Sequence, residues 1–191
     1  VVLASVHDET GRKPISLGHS MGGLIATRAA LRDQDGIAAL VLSGPALKIS
    51  TDLSGPRLQA AMLLAKGFFF LKAPGGLPGE LSRDPAVREA FKTDPLCIND
   101  PIRLGIASQL FIAAERTRAH ADEITVPLLV MHGEQDQITD PEGSRWFVEH
   151  AKSSDKTFIA WPEDYHEIFN ELDQADILSA LTRWLLERFP G

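Results

Sequence analysis

The sequence predicts an α/β fold in which a parallel sheet is flanked by helices. Three observations point there. Short apolar runs alternate with segments of helical periodicity, the pattern of parallel strands joined by crossover helices. One junction reads Gly18-His19-Ser20-Met21-Gly22, a G-x-S-x-G turn between an apolar stretch and a good helix former. The stretch from about Gly44 to Thr125 breaks the alternation: it is helical, lacks a clear strand, and is too long for a plain loop.

The elements follow in order. Residues 1–10 read as a helix with Gly11 as its C-cap. A strand is expected at 14–18, then the serine turn, then a helix at 21–32. Ile37 to Ser43 is a buried strand, Val126 to His132 a third and Lys156 to Trp161 a fourth. A helix at 142–151 joins the last two. The last helix, 173–189, carries apolar residues at 177, 178, 181, 184 and 185, a helical stripe. Within the insertion, helices are expected near 56–71, 85–92 and 102–117, with joints at Gly55-Pro56, Pro74-Gly75-Gly76 and Pro78-Gly79. Residues 1–44 and 126–191 thus read as the core, and 45–125 as a helical cap inserted between two strands.

Composition narrows the function. The net charge of −7 argues against nucleic-acid binding, which needs a basic footprint. A single cysteine, Cys97, excludes an internal disulfide and a zinc-type cluster, and reads as a small apolar residue. No uncharged apolar run approaches a membrane span. The chain opens at Val1, inside a helix, and reads as beginning mid-domain, so the lack of a targeting signal says little. The expected location is cytoplasmic or at a membrane surface.

The chemistry is carried by three separated loops. A serine hydroxyl is a poor nucleophile until a histidine takes its proton and an acid orients that histidine. Ser20 stands on a sharp strand-to-helix turn, where the N–H of Met21 at the helix N-terminus favours developing negative charge. On such a sheet the acid and then the histidine follow on later loops. Asp136 lies a few residues past the third strand; Asp140 and Glu134 compete with it, although Asp140 before Pro141 reads as a helix cap. His166 alone of the six histidines follows both the acid loop and a strand end. His132, at a strand terminus, reads as structural.

The chain resembles the monoacylglycerol lipase family of α/β-hydrolases, the group described as serine aminopeptidase S33-like or lysophospholipase-like. The stretches that carry the resemblance are Leu17 to Gly23, Ser82-Arg-Asp-Pro-Ala-Val-Arg88 with Asp94-Pro-Leu96, Pro127 to Gly133 with Asp136, Glu142 to Arg145, and Tyr165 to Glu171. They span nearly the whole chain. The resemblance implies an α/β-hydrolase fold with a helical cap over an acyl tunnel. It makes Ser20 the nucleophile, Asp136 the orienting acid and His166 the base, with no metal or organic cofactor. It also implies early strands and a His-Gly oxyanion motif upstream of Val1, which would leave the strand at Pro14 as an unpaired edge.

The expected reaction is hydrolysis of monoacylglycerol to fatty acid and glycerol through an acyl-enzyme. Lysophospholipase, thioesterase and general carboxylesterase are the alternatives, and an inactive fragment or binding module is the reading from another class. Candidate substrate contacts are His19, Leu47, Met62, Phe69 and Ile138. Residues 53–79 include Phe68-Phe-Phe-Leu71 and three cations, Arg57, Lys66 and Lys72, without an acid. That suits transient contact with anionic lipid; packing of the cap onto the sheet explains the same residues.

Overall fold

The computed structural model describes residues 2–50, 63, 65, 67–72, 79–97 and 100–190. Among these residues the sheet has four strands: β1 (Ile15–His19), β2 (Ala39–Ser43), β3 (Leu128–Gly133) and β4 (Lys156–Trp161). They lie in sequence order and are all parallel. Every residue of β2 and β3 is buried. That accounts for their unbroken apolar sequences, since successive side chains point to opposite faces and both faces are covered.

Among the described residues, the α-helices with both ends defined are α1 (Val2–Thr10), α2 (Met21–Arg32), α3 (Pro85–Thr93), α4 (Leu104–Arg118), α5 (Pro141–His150) and α6 (Gln174–Arg188). On one face Leu40, Leu42, Leu128 and Val130 pack with Leu24 of α2 and Phe147 of α5. On the other, Val41, Leu129 and Met131 pack with Ile177, Leu181 and Trp184 of α6. Gly11 caps α1 at φ 66°, its N–H bonded to the His7 carbonyl.

Strand starts differ from expectation by one or two residues, and proline or a turn explains each case. Pro14 and Pro127 lack an N–H and contribute only their carbonyls, to Ala38 and Leu40. Ile37 is held in a turn by Gln34. β1 is an edge strand in the described chain, with Leu17 51% exposed.

Between β2 and β3 the described residues form helices and one isolated bridge, Lys72 with Arg103; a second bridge joins Ile49 to Thr139, past β3. Leu63, Ala65 and Gly67 are helical, and the chain turns at Phe68 to Leu71. The rest of the helix expected at 56–71, Met62 included, lies outside the described residues. α4 packs through Leu110 and Ala113 onto the face that holds Leu24. No helix among the described residues is long and apolar enough to cross a membrane.

Candidate active site

The strand register brings the loops together. His19 pairs with Ser43, Ser43 with Met131, and Met131 with Ile159, one line across the sheet. The chain leaves the sheet at or shortly past this line on every strand. Ser20, Gly44, the 134–140 loop and the 162–167 loop therefore rise at one carboxyl edge, where sites form on open parallel sheets.

Ser20 has φ 53° and ψ −121°, and is the one non-glycine with positive φ among the described residues. Such a conformation costs about 1–3 kcal/mol and persists because its surroundings fix it. Its N–H donates to the Ser43 carbonyl at 2.9 Å, and its carbonyl accepts the N–H groups of Gly23, Leu24 and Ala46. The turn is so tight that a Cβ on Gly18 would sit 2.4 Å from the Gly22 carbonyl oxygen. Met21 is the first residue of α2, and its N–H has no acceptor among the described residues.

His166 is 4% exposed. Its Nε2 lies 2.9 Å from Ser20 Oγ and its Nδ1 lies 2.6 Å from Asp136 Oδ2. A carboxylate oxygen only accepts, so Nδ1 carries the proton and Nε2 is free to accept from the serine hydroxyl. Asp136 is held by five donors. Oδ1 accepts the N–H groups of Ile138 and Thr139; Oδ2 accepts His166 Nδ1–H, His132 Nε2–H and the Thr139 hydroxyl. Burial pushes the Asp136 carboxyl up, but the bonds from His132 and His166 outweigh it and hold the group well below the usual carboxylate range. The acid therefore stays charged when His166 takes a proton.

The competitors are engaged elsewhere. Asp140 caps α5 by accepting the Glu142 N–H at 2.9 Å and pairs with Lys48. Glu134 pairs with Arg145. Four residues that the sequence reading did not assign to the site join it, His132 among them, which that reading took as structural. His132 is a second imidazole on Asp136, its Nδ1 accepting from the Ser144 hydroxyl at 2.7 Å. Its spacing of four residues before the acid was the available signal. Thr139 adds its hydroxyl, Glu167 pairs with His19, and Arg83 grips the histidine loop.

The suggested substrate contacts fall in different places. His19 bonds Glu167 at 3.1 Å and Ser43 at 3.2 Å, with its ring 4.9 Å from that of His166. That pairing with His19 comes first among the causes that hold the Glu167 carboxyl below its ordinary value. Phe69 lines a groove of about 390 Å³ with Met21, Ile25, Ile106 and Leu110. Ile138 is buried in the acid loop. Leu47 differs from expectation: it has no exposed surface and packs in the core with Leu42 and Phe147. Met62 lies outside the described residues. A larger depression, about 620 Å³, runs along the outer face of α6 and holds none of these residues. No group of three His, Cys, Asp or Glu side chains among the described residues is arranged to hold a metal ion.

The profile of a known family, described as serine aminopeptidase, S33, matches residues 1–173. The chain belongs to the serine aminopeptidase S33 family. Among relatives, a monoacylglycerol lipase of Mycolicibacterium smegmatis is 36% identical over 97% of this chain and 66% of its own length. The human monoglyceride lipase is 29% identical over 95% of this chain and 61% of its own. The chain thus spans less than two thirds of these S33 relatives. Among solved structures, the monoacylglycerol lipase of Paleococcus ferrophilus superposes with a TM-score of 0.83 at 32% identity, over 98% of this chain and 73% of that one. A monoglyceride lipase from Saccharomyces cerevisiae, solved with a substrate analogue, gives 0.82 at 24% identity over 98% and 66%, a likeness of fold alone. The fold is that of the α/β-hydrolases.

Proposed function

We propose that this site hydrolyses monoacylglycerol to fatty acid and glycerol through an acyl-enzyme on Ser20. The observation that carries the reading is the unbroken relay from Ser20 through His166 to Asp136, at 2.9 and 2.6 Å, beginning on a strained elbow. Ser20 Oγ attacks the ester carbonyl carbon as His166 Nε2 takes its proton. The charged Asp136 stabilises the imidazolium, and the Met21 N–H receives the oxyanion. The tetrahedral centre collapses, and His166 gives its proton to the departing glycerol oxygen. Water then attacks the acyl carbonyl, with His166 again as base, and releases the fatty acid.

An acyl chain suits the apolar groove beside Met21, whose volume of about 390 Å³ lies within the usual range for ligand sites. The exposed Phe68, Phe69 and Phe70 stand on the same insertion, residues 45–125, which we take as the cap. The names of the mycobacterial and human relatives support the glycerol ester over other acyl esters.

The test combines a fluorophosphonate probe with a substrate panel. The protein is expected to label at Ser20, to lose labelling in Ser20→Ala, and to release glycerol from monooleoylglycerol faster than it cleaves lysophosphatidylcholine or acyl-CoA. A folded wild type that neither labels nor cleaves any ester refutes the reading. Faster cleavage of the lysophospholipid moves the head-group assignment.

A further inference from the structure

We propose that Arg83 is a positioning residue for His166: through Glu171 and Asp164 it fixes the loop on which the histidine stands. This rests on the relay reading above. It would tie the middle of the insertion, residues 45–125, to the proton relay.

The backbone on both sides of His166 is anchored to one short strip, residues 81–83. The N–H of Glu167 donates to the Leu81 carbonyl at 2.8 Å. The N–H of Tyr165 donates to Glu171 Oε1 at 3.0 Å. Glu171 is in turn held by Arg83, whose N–H reaches the same oxygen at 2.9 Å and whose Nε–H reaches Oε2 at 3.2 Å. Arg83 Nη2 also donates to Asp164 Oδ1 at 2.5 Å and to Asp173 Oδ2 at 2.9 Å. The guanidinium thus spans the loop from two residues before His166 to seven after it. Asp164 extends the hold to the acid loop, since its carbonyl accepts the N–H of Gln135, next to Asp136. Ser82 adds a hydroxyl bond to the Asn170 carbonyl, and Arg88 of α3 stiffens the strip through the Ser82 carbonyl.

Burial gives these contacts their leverage. The Glu171 and Asp164 side chains are 0% and 1% exposed, and Arg83 is their cation. Without it, the buried Glu171 carboxyl loses its charged side-chain donor and is left short of a partner, which a shift of the loop toward water relieves. Such a movement passes through Tyr165 to His166. A misplacement of about 1 Å at a reacting group costs about 100-fold. A lysine at 83 would keep the charge but could not serve three carboxylates with a planar fork.

The test compares Arg83→Met and Arg83→Lys with wild type on a short p-nitrophenyl ester, counting active sites by fluorophosphonate titration of Ser20. A purely structural role lowers the fraction of labelled protein; a positioning role lowers turnover per labelled site. Turnover per site is expected to fall about 10- to 100-fold in Arg83→Met and about 3- to 10-fold in Arg83→Lys, with KM within about twofold. Wild-type turnover per site in Arg83→Met overturns the proposal. So does wild-type turnover in Arg83→Lys when the methionine variant does not fold, and so does a change confined to KM. A wild type that neither labels nor cleaves ester overturns the relay reading and this proposal with it, whereas an active wild type with unaffected variants overturns the proposal alone.

Discussion

Asp164→Asn is expected to remove a pH dependence of stability that the wild type carries between about pH 4 and 6. The Asp164 side chain is 1% exposed, with one oxygen on Arg83 and the other without a partner among the described residues. Burial pushes its carboxyl up, Arg83 opposes this in part, and the neighbouring Glu171 and Asp173 push it further, from 3.8 to about 6. The folded chain therefore keeps this proton to about pH 6, while the unfolded chain releases it near 3.8. Folding takes up a proton inside that window, so the contribution is fully present below 3.8 and is lost as pH rises through about 6. A displacement of that size corresponds to about 3 kcal/mol. Asp136 acts in the opposite sense and elsewhere: its stabilisation is present above 3.8 and is lost as pH falls below that value. Urea unfolding of wild type and variant at pH 4, 5, 6 and 7 separates the two, because subtraction cancels groups common to both. The stability of wild type relative to variant should fall by about 2 kcal/mol from pH 4 to 7, the remainder of the full contribution lying below pH 4. Parallel curves across that range would show that Asp164 does not hold the proton, and the reasoning would fail.

Asp136→Asn turns an amide toward His166 Nδ1, which favours the wrong tautomer; turnover per labelled site should fall by about 10,000-fold on a short ester. His132→Phe leaves the Ser144 hydroxyl and one Asp136 oxygen short of a partner, and should cost about 1–3 kcal/mol in urea unfolding together with a drop in turnover. Gly18→Ala drives a Cβ to 2.4 Å from the Gly22 carbonyl, backbone against backbone, and should destabilise the fold by more than about 3 kcal/mol. An unchanged unfolding midpoint would show that the elbow has room to relax.

Much of the fold is legible because parallel strands buried on both faces must be apolar throughout. Ala39 to Ser43 and Leu128 to Gly133 could hardly be anything else. Their starts shift where Pro127 and the Gln34 turn remove a ladder partner, a detail that periodicity does not carry. Ser20, Asp136 and His166 stand out for a local reason too: each follows a strand end, and such ends share one edge once the strands are parallel. The remainder of the site is not local. Arg83 meets Glu171 and Asp173 across 88 and 90 positions of sequence, and nothing in the spacing of Ser82-Arg83-Asp84 announces those partners. Leu47 shows the converse. It follows β2 toward the site in sequence, yet its side chain turns into the core with Leu42.

Asp136 and Asp164 show what separates an acid that can serve a relay from one that can only brace it. Both are buried, and both stand on loops at the carboxyl edge of the sheet. Burial alone would neutralise each of them. Asp136 escapes because five donors, two of them imidazoles, converge on its two oxygens. Asp164 has one cation, which it shares with Glu171 and Asp173. The number of donors, and not depth, decides which carboxyl stays charged below about pH 6. When Asp164 does take a proton, Arg83 still has Glu171, and Glu171 still holds the Tyr165 N–H. The brace on His166 thus survives the titration of one of its own members, while the charge on Asp136 lies outside that titration altogether.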